Sequence, residues 1–322
     1  MCADYLVRRV LVTGASGFIG KSLCAELKRR CIDFIPIIRS KKKASGAAMV
    51  GNIDAATKWL RLLQDVGSVI HLAARVHVIR DSSSDPLAEF RSVNTEGTLN
   101  LARQAAEVGV RRFIFLSTIG VNGNSTLHGK AFAPNDAPSP HDPYSMSKYE
   151  AEIGLHSIAQ STGMELVIIR PPLVYGANAP GNFGKLTRLV AKSFPLPLGS
   201  INNLRSFVGI DNLVDFIVTS LEHPAAANET FMVSDGEDLS TPDLIRRMAR
   251  AMNRPARLMP VPMWALKAGA LLLGKGDAVQ RLCGNLQVDI SKSRTLLGWS
   301  PPISVDEGLR RVVGGDLVIR DW

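Results

Sequence analysis

The sequence predicts an α/β fold in which a doubly wound parallel sheet is joined to a smaller, mixed C-terminal lobe. Three observations support this. Short segments rich in Val, Ile and Leu alternate with helical segments through the first half of the chain. A glycine-rich turn joins the first of these strands to the first helix. After residue 176 the alternation stops and Gly, Pro and Asn become frequent. Apolar strands separated by helices indicate a parallel sheet covered on both faces.

The elements follow in order along the chain. RVLVTG (9–14) predicts a strand. FIGKSLCAELKRR (18–30) predicts a helix, because its apolar residues recur at helical spacing and its last turn is basic, as suits a helix C-terminus. A longer helix is predicted to begin near Tyr144. The remaining predicted strands are FIPIIR (34–39), SVIHLAA (68–74), RFIFLST (112–118), ELVIIRP (165–171) and NETFMVSD (228–235).

The turn VTGASGFIG places Gly14, Gly17 and Gly20 between the first strand and the first helix. A chain that turns sharply there lets its backbone approach a pyrophosphate, and the helix N-terminus supplies amide donors. Because the motif sits at the first strand of a βαβ unit, it predicts a Rossmann dinucleotide-binding sheet. We assign residues 1–176 and 206–235 to this domain, and residues 177–205 and 236–322 to a substrate-binding lobe.

The charge balance favours anionic small-molecule partners. The chain has 38 Lys and Arg against 29 Asp and Glu, a net charge of +9, which favours phosphates and nucleotides. Nucleic-acid binding is not expected, because the basic runs are not interleaved with aromatic residues, which make up 6% of the chain. No metal is expected, since the four cysteines and His71, His77, His128 and His141 lack ligand-like spacing.

No stable membrane insertion is predicted, and cytoplasmic localisation is expected. The N-terminus lacks a signal-peptide pattern. The apolar segment MWALKAGALLLG (263–274) is too short to span a bilayer and favours a helix of the second lobe over an interfacial membrane helix. The five arginines between 246 and 257 are interpreted as a solvated helix end.

YSMSK places Tyr144 and Lys148 four residues apart, on one face of a helix. A carbonyl that exchanges a hydride with a nicotinamide must also exchange a proton. A phenol does this near neutrality only if its pKa falls by about three units, or about 4 kcal/mol. An ammonium about 4 Å away supplies about that energy at an effective dielectric near 20. We therefore expect Lys148 to lower the pKa of Tyr144.

The GxxGxxG spacing resembles that of the extended short-chain dehydrogenase/reductase family, whose members mostly act on nucleotide-linked sugars. Further matches are Asn52-Ile53, HLAA (71–74) and SVNTEGTLNLA (92–102), and the resemblance continues to DISKSRTLLGW (289–299). It implies a homodimer. It also implies that Thr118 fills the family's Ser/Thr position, which hydrogen-bonds the reacting oxygen, with Ser117 as a neighbour that could share the task. The predicted cofactor-binding residues are Gly14, Ser16, Gly17, Phe18, Ile19, Gly20, Arg39, Asn52, Ile53, Leu72, Ala73, Ala74, Asn94, Ser117, Tyr144, Lys148 and Pro171.

The resemblance also implies contacts to a nucleotide-diphosphate sugar. GNFGKL (181–186) matches the diphosphate region, with Asn182 as the donor. LRSFVGIDNLVD (204–215) matches a pattern in which an arginine, here Arg205, binds a phosphate through its planar donors. Arg281 is a candidate second phosphate contact. The predicted catalytic residues are Thr118, Tyr144 and Lys148.

The second predicted strand ends at Arg39, with Ser40 and lysines 41–43 behind it, where NAD-preferring folds commonly carry Asp or Glu. A guanidinium attracts a 2′-phosphate, so NADP(H) is favoured, with NAD(H) possible. The alternative is a solvated run of charges.

The expected reaction follows from these residues. Ile119-Gly120 follow Thr118 where dehydratases of the family carry Asp-Glu, so elimination is disfavoured. The chain resembles a bacterial surface-polysaccharide (O-antigen) subgroup. This subgroup includes 4-keto reductases that form UDP-N-acetylquinovosamine as well as UDP-glucose 4-epimerases. A reductase needs a fresh hydride in each cycle, typically from NADPH, so the basic end of the second strand makes a 4-keto reductase our first expectation. A UDP-glucose or UDP-N-acetylglucosamine 4-epimerase is the alternative. A reductase of small ketones and a non-catalytic dinucleotide-binding scaffold are more distant alternatives.

Overall fold

The computed structural model describes residues 9–39, 46–76, 85–272 and 282–314. The strands of this part of the chain are β1 (Arg9–Thr13), β2 (Phe34–Ile38), β3 (Ala48–Met49), β4 (Val66–His71), β5 (Arg112–Leu116), β6 (Glu165–Arg170), β7 (Leu173–Tyr175), β8 (Arg205–Gly209), β9 (Glu229–Met232) and β10 (Asp238–Leu239).

The helices are α1 (Phe18–Arg29), α2 (Pro86–Phe90), α3 (Thr98–Glu107), α4 (Pro143–Thr162), α5 (Gly181–Ala191), α6 (Ile210–Glu222), α7 (Thr241–Ala251), α8 (Met263–Leu272), α9 (Ser291–Leu297) and α10 (Val305–Val313). A π-helical segment, Arg91–Gly97, joins α2 to α3, and short 3₁₀ turns occupy Ile119–Val121 and Pro224–Ala226.

The central sheet contains seven parallel strands in the order β3-β2-β1-β4-β5-β6-β9. The order reverses between β1 and β4, and in such sheets ligands bind where it reverses, beyond the carboxyl ends of the strands. The predicted α/β fold is confirmed, and the sequence located six of these seven strands. It missed β3, because two residues give too short a pattern to recognise.

Both faces of the sheet are buried. Alternate residues of each strand point to opposite sides, so one strand contributes to the apolar cluster on each face. Val10 and Val12 of β1 belong to an apolar cluster that includes residues of α1 and α6. Leu11, between them, belongs to a second cluster that includes residues of α3 and α4. This sandwich fixes α4, which carries Tyr144 and Lys148, against one face of the sheet.

A separate three-stranded sheet has the order β10-β8-β7, with β7 and β8 parallel and β8 and β10 antiparallel. Two of its strands, Leu173–Tyr175 and Arg205–Gly209, come from chain near the predicted lobe boundaries. The domain division proposed from the sequence stays a prediction, with these strands at the junction.

The start of α4 is fixed by local chemistry. Asp142 is its N-cap, and its carboxylate accepts a 2.7 Å hydrogen bond from the Ser145 amide. Pro143 follows at the first helical position, where its missing N–H is not needed. Gly163 ends the helix with a φ of +75°. These signals place Tyr144 in the first turn and Lys148 in the second.

Arg112 connects the central sheet to the end of α6, and its contribution to stability can be tested by substitution. Its buried guanidinium pairs with Glu165 at 2.7 Å, and its Nη1 donates to the carbonyls of Ser220, Leu221 and His223 at the end of α6. We expect Arg112→Met to lower the free energy of unfolding by about 3 kcal/mol, because it leaves those groups buried without a donor. Urea denaturation measures the loss.

The matched control is Arg111→Met. The Arg111 side chain is 51% exposed and lies 3.7 Å from the same Glu165. An exposed pair contributes about 1 kcal/mol or less, so this variant should stay close to the wild type. Equal losses in the two variants would contradict a special role for the buried arginine.

Candidate functional site

A cavity of about 530 Å³ opens at the carboxyl ends of β1, β2, β4 and β5. The predicted cofactor residues that line it are Gly14, Ser16, Gly17, Phe18, Ile19, Gly20, Arg39, Asn52, Ile53, Leu72, Ala73, Ala74, Ser117 and Tyr144. Residues that the sequence did not single out also line it: Ile37, Ile38, Asp54, Arg75, Val76, Glu89, Ser92, Val93, Leu116 and Pro180. The cavity therefore joins the glycine turn to the predicted catalytic tyrosine.

The glycine turn leaves no room for a Cβ at Gly14 or Gly20. Gly14 has a φ of +69°, and a Cβ there would lie 2.8 Å from the amide nitrogen of Ala73. A Cβ on Gly20 would lie 2.1 Å from the carbonyl oxygen of Gly14. The α1 N-terminus has no side-chain cap, so its first amides are available to an anion at the cavity. These features fit the diphosphate of a dinucleotide.

Arg39 is exposed at the end of β2 and lines the cavity, whereas Ser40 and lysines 41–43 lie outside the described residues. Asp54 also lines the cavity, but its carboxylate is engaged locally. It accepts hydrogen bonds from the amide of Ala56 and the hydroxyl of Thr57. Arg39 thus places an exposed guanidinium in the wall of the cavity at the end of β2.

Asn94, Lys148 and Pro171 do not line the cavity. Asn94 is fully buried in the π-helical segment. Its Oδ1 accepts from the amide of Arg75 at 2.8 Å, and its Nδ2 donates to the carbonyl of Arg75 and to Ser147 Oγ. Asn94 thus holds the loop after β4 against α4, and this loop, through Arg75, forms part of the cavity wall.

His71 is a buried core histidine. Thr98 donates its hydroxyl proton to the carbonyl of Asn94, so its oxygen accepts from His71 Nε2 at 2.9 Å. Nδ1 then accepts from Thr13, 2.8 Å away. Burial, and secondarily the charge of Lys148, lowers the pKa of His71 to about 3, which keeps the ring neutral. The chain of bonds connects the ends of β1 and β4 to the π-helical segment.

Tyr144 and Lys148 lie one turn apart, on the face of α4 that packs on the sheet. The Tyr144 ring meets Phe90 edge-on, with 6.1 Å between centroids. The fully buried Lys148 places its Nζ 3.9 Å from the centroid of the Phe115 ring. This cation–π contact offsets part of the loss of hydration of the ammonium.

The sequence analysis expected a lowered pKa for Tyr144. For the protein without a bound cofactor this expectation is wrong. Burial raises the pKa of Tyr144, and the carboxylate of Asp142 raises it further. Burial also lowers the pKa of Lys148 to about 7, although Glu152 acts in the opposite direction. Desolvation opposes both charged forms, and the sequence argument had counted only the attraction between them.

Glu152 and Arg170 are functional candidates that sequence reasoning missed. Glu152 lies one turn beyond Lys148, is 2% exposed, and pairs with Arg170 at 2.5 Å. It also accepts the hydroxyl of Ser117 at 2.5 Å. The spacing of Tyr144, Lys148 and Glu152 at every fourth residue was the signal that could have identified it.

Thr118 lies half-buried beyond β5 and caps the 3₁₀ turn. Its Oγ1 accepts the amide proton of Gly120 at 3.1 Å, which leaves its own hydroxyl proton for another acceptor. A Cβ on Gly120 would lie 3.1 Å from the Cβ of Ser145 and 3.4 Å from Thr118 Oγ1. This small residue therefore lets the Thr118 turn pack against the first turn of α4, beside Tyr144.

The substrate-side residues are separated in the structure. Asn182 is exposed in the first turn of α5, two residues after Pro180 of the cavity wall. Arg205 is partly buried at the start of β8, where burial lowers its pKa and its Nη1 donates to the carbonyl of Gly284 at 2.9 Å. It forms no ion pair with a carboxylate of the described chain. Arg281 lies outside the described residues.

A second cavity, of about 850 Å³, lies beside α1, α6 and α10 and contains none of the predicted site residues. Its size exceeds that of the glycine-lined cavity, but the convergence of backbone donors and buried titratable groups marks the smaller one as the candidate active site. Within the described residues, no group of three or more His, Cys, Asp or Glu is arranged to hold a metal ion.

Comparisons with known proteins agree with this geometry. A model described as the NAD dependent epimerase/dehydratase family matches residues 10–234. The chain is 46% identical over 309 residues to a UDP-glucose 4-epimerase of Vibrio cholerae, covering 94% of each chain.

Two solved structures share the fold at lower sequence identity. UDP-glucuronic acid 4-epimerase from Bacillus cereus, in complex with NAD, has a TM-score of 0.76 and 24% identity and covers 95% of both chains. RMD from Pseudomonas aeruginosa, complexed with NADPH, has a TM-score of 0.71 and 21% identity and covers 95% of this chain and 98% of its own.

Lys148 gives a test of the electrostatics of the site. In cofactor-free protein we expect Lys148→Met to raise the free energy of unfolding at pH 7 by about 2 kcal/mol or more, since each pKa unit is about 1.4 kcal/mol. The unfolded lysine keeps its proton up to about pH 10.5, whereas the folded one releases it near 7. The wild type therefore gains stability as the pH rises, and the advantage of the variant shrinks.

Urea denaturation at pH 7 and pH 9 measures this change. Lys185→Met, at an exposed position of α5, is the control and should shift stability little at either pH. A Lys148→Met variant that is less stable than the wild type, or whose difference is independent of pH, would contradict the assignment of a strained buried cation.

Proposed function

This chain belongs to the NAD-dependent epimerase/dehydratase family, as an enzyme of the extended short-chain dehydrogenase/reductase type, and on that premise we propose that it interconverts the C4 epimers of a UDP-hexose. The observation that carries the proposal is the 46% identity to a UDP-glucose 4-epimerase over 94% of both chains. This similarity favours the epimerase over the 4-keto reductase that the sequence alone placed first.

The residues around the cavity support this chemistry. A nicotinamide dinucleotide, when bound, supplies reversible hydride transfer at C4 of the sugar. Tyr144 would take the C4 hydroxyl proton and return it, and Lys148 would supply the positive charge that favours its phenolate. Thr118 has a free hydroxyl proton with which to orient the C4 oxygen.

Arg205 supports a diphosphate substrate. Its guanidinium is partly desolvated and donates to the neutral carbonyl of Gly284, and no carboxylate of the described residues forms an ion pair with it. A phosphate supplies the missing charge and accepts two parallel hydrogen bonds. Asn182, in the first turn of α5, would add an amide donor from the same predicted substrate-binding lobe.

A second candidate, 4-keto reduction with NADPH, is favoured by the position of Arg39. This cation lines the cavity at the end of β2, where an adenosine ribose lies in dinucleotide-binding folds. An epimerase returns the hydride within each turnover, whereas a reductase consumes reducing equivalents. Cofactor preference therefore separates the two candidates.

The direct test is to incubate the purified enzyme with UDP-glucose and no added cofactor. We expect conversion to UDP-galactose over many turnovers, measured by chromatography of the nucleotide sugars. Tyr144→Phe should lower kcat by about 100-fold or more, because it removes the proton-transfer group while keeping the ring.

Tyr149→Phe is the matched control, because Tyr149 lies on the same helix but is not among the cavity residues. It should keep wild-type turnover. Stoichiometric rather than catalytic conversion, or turnover only with added NADPH and a 4-keto sugar, would reject the epimerase. Unchanged turnover in Tyr144→Phe would reject Tyr144 as the proton-transfer group, and a wild-type protein without any turnover would favour the non-catalytic scaffold.

The cofactor test uses Arg39→Ala. We expect this variant to weaken NADP(H) binding at least tenfold, about 1.4 kcal/mol, while NAD(H) binding changes less than threefold, because only a 2′-phosphate needs the cation. Titration of intrinsic fluorescence measures both constants. Equal losses for the two cofactors would show that Arg39 contacts a part they share. Tighter wild-type binding of NADP(H) than of NAD(H) would favour the reductase.

A further inference from the structure

The net positive charge of the protein is concentrated in two segments, residues 181–200 and 244–272, which we call the basic face. Together they contain nine cations and no Asp or Glu. The other 29 Lys and Arg therefore balance all 29 acidic residues of the chain. The cations of the basic face are Lys185, Arg188, Lys192, Arg246, Arg247, Arg250, Arg254, Arg257 and Lys267.

The fold brings the two segments together. Leu196 and Leu258 form a parallel bridge, and the Leu196 amide donates to the carbonyl of Arg257 at 2.8 Å. The Met259 amide donates in turn to the carbonyl of Leu196 at 2.8 Å. Helix α8 begins four residues later, at Met263. The end of α5, the chain after α7 and the start of α8 are thus neighbours.

Most cations of the basic face are free to meet an external anion. Arg246 and Arg247 pair with acidic residues outside the face, Asp243 and Glu237. The other seven, by contrast, are exposed and form no ion pair with another described residue. They are Lys185, Arg188, Lys192, Arg250, Arg254, Arg257 and Lys267.

The same two segments expose large apolar side chains. Trp264 is 75% exposed and Leu271 is 79% exposed, both on α8. Phe194 and Met259, on either side of the Leu196–Leu258 bridge, are 56% and 44% exposed. Tryptophan and phenylalanine beside cations are typical of surfaces that lie in the headgroup region of a bilayer.

We propose that the basic face docks reversibly on an anionic lipid bilayer, with Trp264 and Leu271 entering the headgroup region. The lysines and arginines would be drawn to the negative surface potential of such a membrane. The apolar side chains would add burial that a purely electrostatic contact lacks. No helix in the described part of the chain is long and apolar enough to cross a membrane, so the contact is peripheral.

Charge argues against a second copy of the chain as the occupant. A two-fold interface places the same patch on both subunits. Two basic faces would then oppose each other, with up to nine cations on each and no acidic residue of either segment to offset them. An anionic surface accepts both the charge and the apolar side chains.

Docking would leave the candidate active site open. Helix α5 begins at Gly181, beside Asn182 and the cavity residue Pro180, and ends at Ala191, just before Lys192 and Phe194. Its 11 residues span about 16 Å at 1.5 Å per residue. Lys192 and Phe194 therefore lie at the opposite end of α5 from the cavity, whereas Lys185 and Arg188 lie within the helix. The proposal does not depend on which reaction the site performs.

The test is flotation of the full-length protein with vesicles of phosphatidylcholine alone or with about 30% phosphatidylglycerol. We expect at least tenfold stronger partition to the anionic vesicles at about 0.1 M salt, and most of it lost at about 0.5 M, where screening is shorter-ranged. Arg254→Glu/Arg257→Glu should lower the partition at least tenfold, and Trp264→Ser about fivefold.

The controls are matched in chemistry but lie elsewhere on the surface. Lys58→Glu/Arg61→Glu reverses two exposed charges, and Leu127→Ser changes a side chain that is 71% exposed. Both should bind vesicles like the wild type, and all variants should keep wild-type thermal melting and turnover. Equal binding to neutral and anionic vesicles, or equal loss in the controls, would overturn the proposal. So would a Trp264→Ser variant that dissociates an oligomer in light scattering without changing vesicle binding.

Discussion

The buried ion pair between Glu152 and Arg170 is the interaction on which the site depends. It joins the middle of α4 to the end of β6, with Nη2 and Oε2 2.5 Å apart. Arg170 also donates to Asn122 Oδ1 and to the carbonyl of Pro134, and Glu152 also accepts from Ser117. Removing one partner of a buried pair typically costs about 3–5 kcal/mol, so α4 can neither rotate nor slide cheaply on the sheet. The directions of Tyr144 and Lys148 follow from that constraint.

This rigidity explains how the site can hold charges that burial disfavours. Burial raises the pKa of Tyr144 and lowers that of Lys148, so desolvation alone would leave both groups neutral above pH 7. The Glu152 carboxylate, one turn along the helix, and the Phe115 ring, beneath the ammonium, both favour protonated Lys148. The pKa of Lys148 therefore lies near neutrality, at about 7, while the raised pKa of Tyr144 keeps its hydroxyl protonated. Pairs of titratable groups poised in this way are typical of acid–base sites.

Much of this organisation could be predicted from the sequence because it is local. Strand positions followed from apolar runs, the glycine turn from its spacing, and the approximate start of α4 from the YSMSK motif. The rest is tertiary. The direction of the Tyr144 pKa depends on how deeply α4 packs, which a four-residue spacing cannot report. Glu152 acquires its partner only when the fold of β6 brings Arg170 to it. Asn94 holds the loop after β4 against α4 and does not line the cavity, because the π-helical segment turns its side chain inward.

The position of the cations on the protein matters as well as its net charge. A net charge of +9 suggested an affinity for phosphates throughout the molecule. Yet Arg39 and Arg75 are the cations among the described residues that line the cavity, while the two segments of the basic face carry nine. Fields from exposed charges decay over about 10 Å at 0.1 M salt, so the cations beyond the end of α5 contribute little at its start, about 16 Å away. Recognition of the cofactor therefore depends on backbone amides, α1 and single side chains. The net positive charge of the protein is available to bind a separate, larger anionic surface.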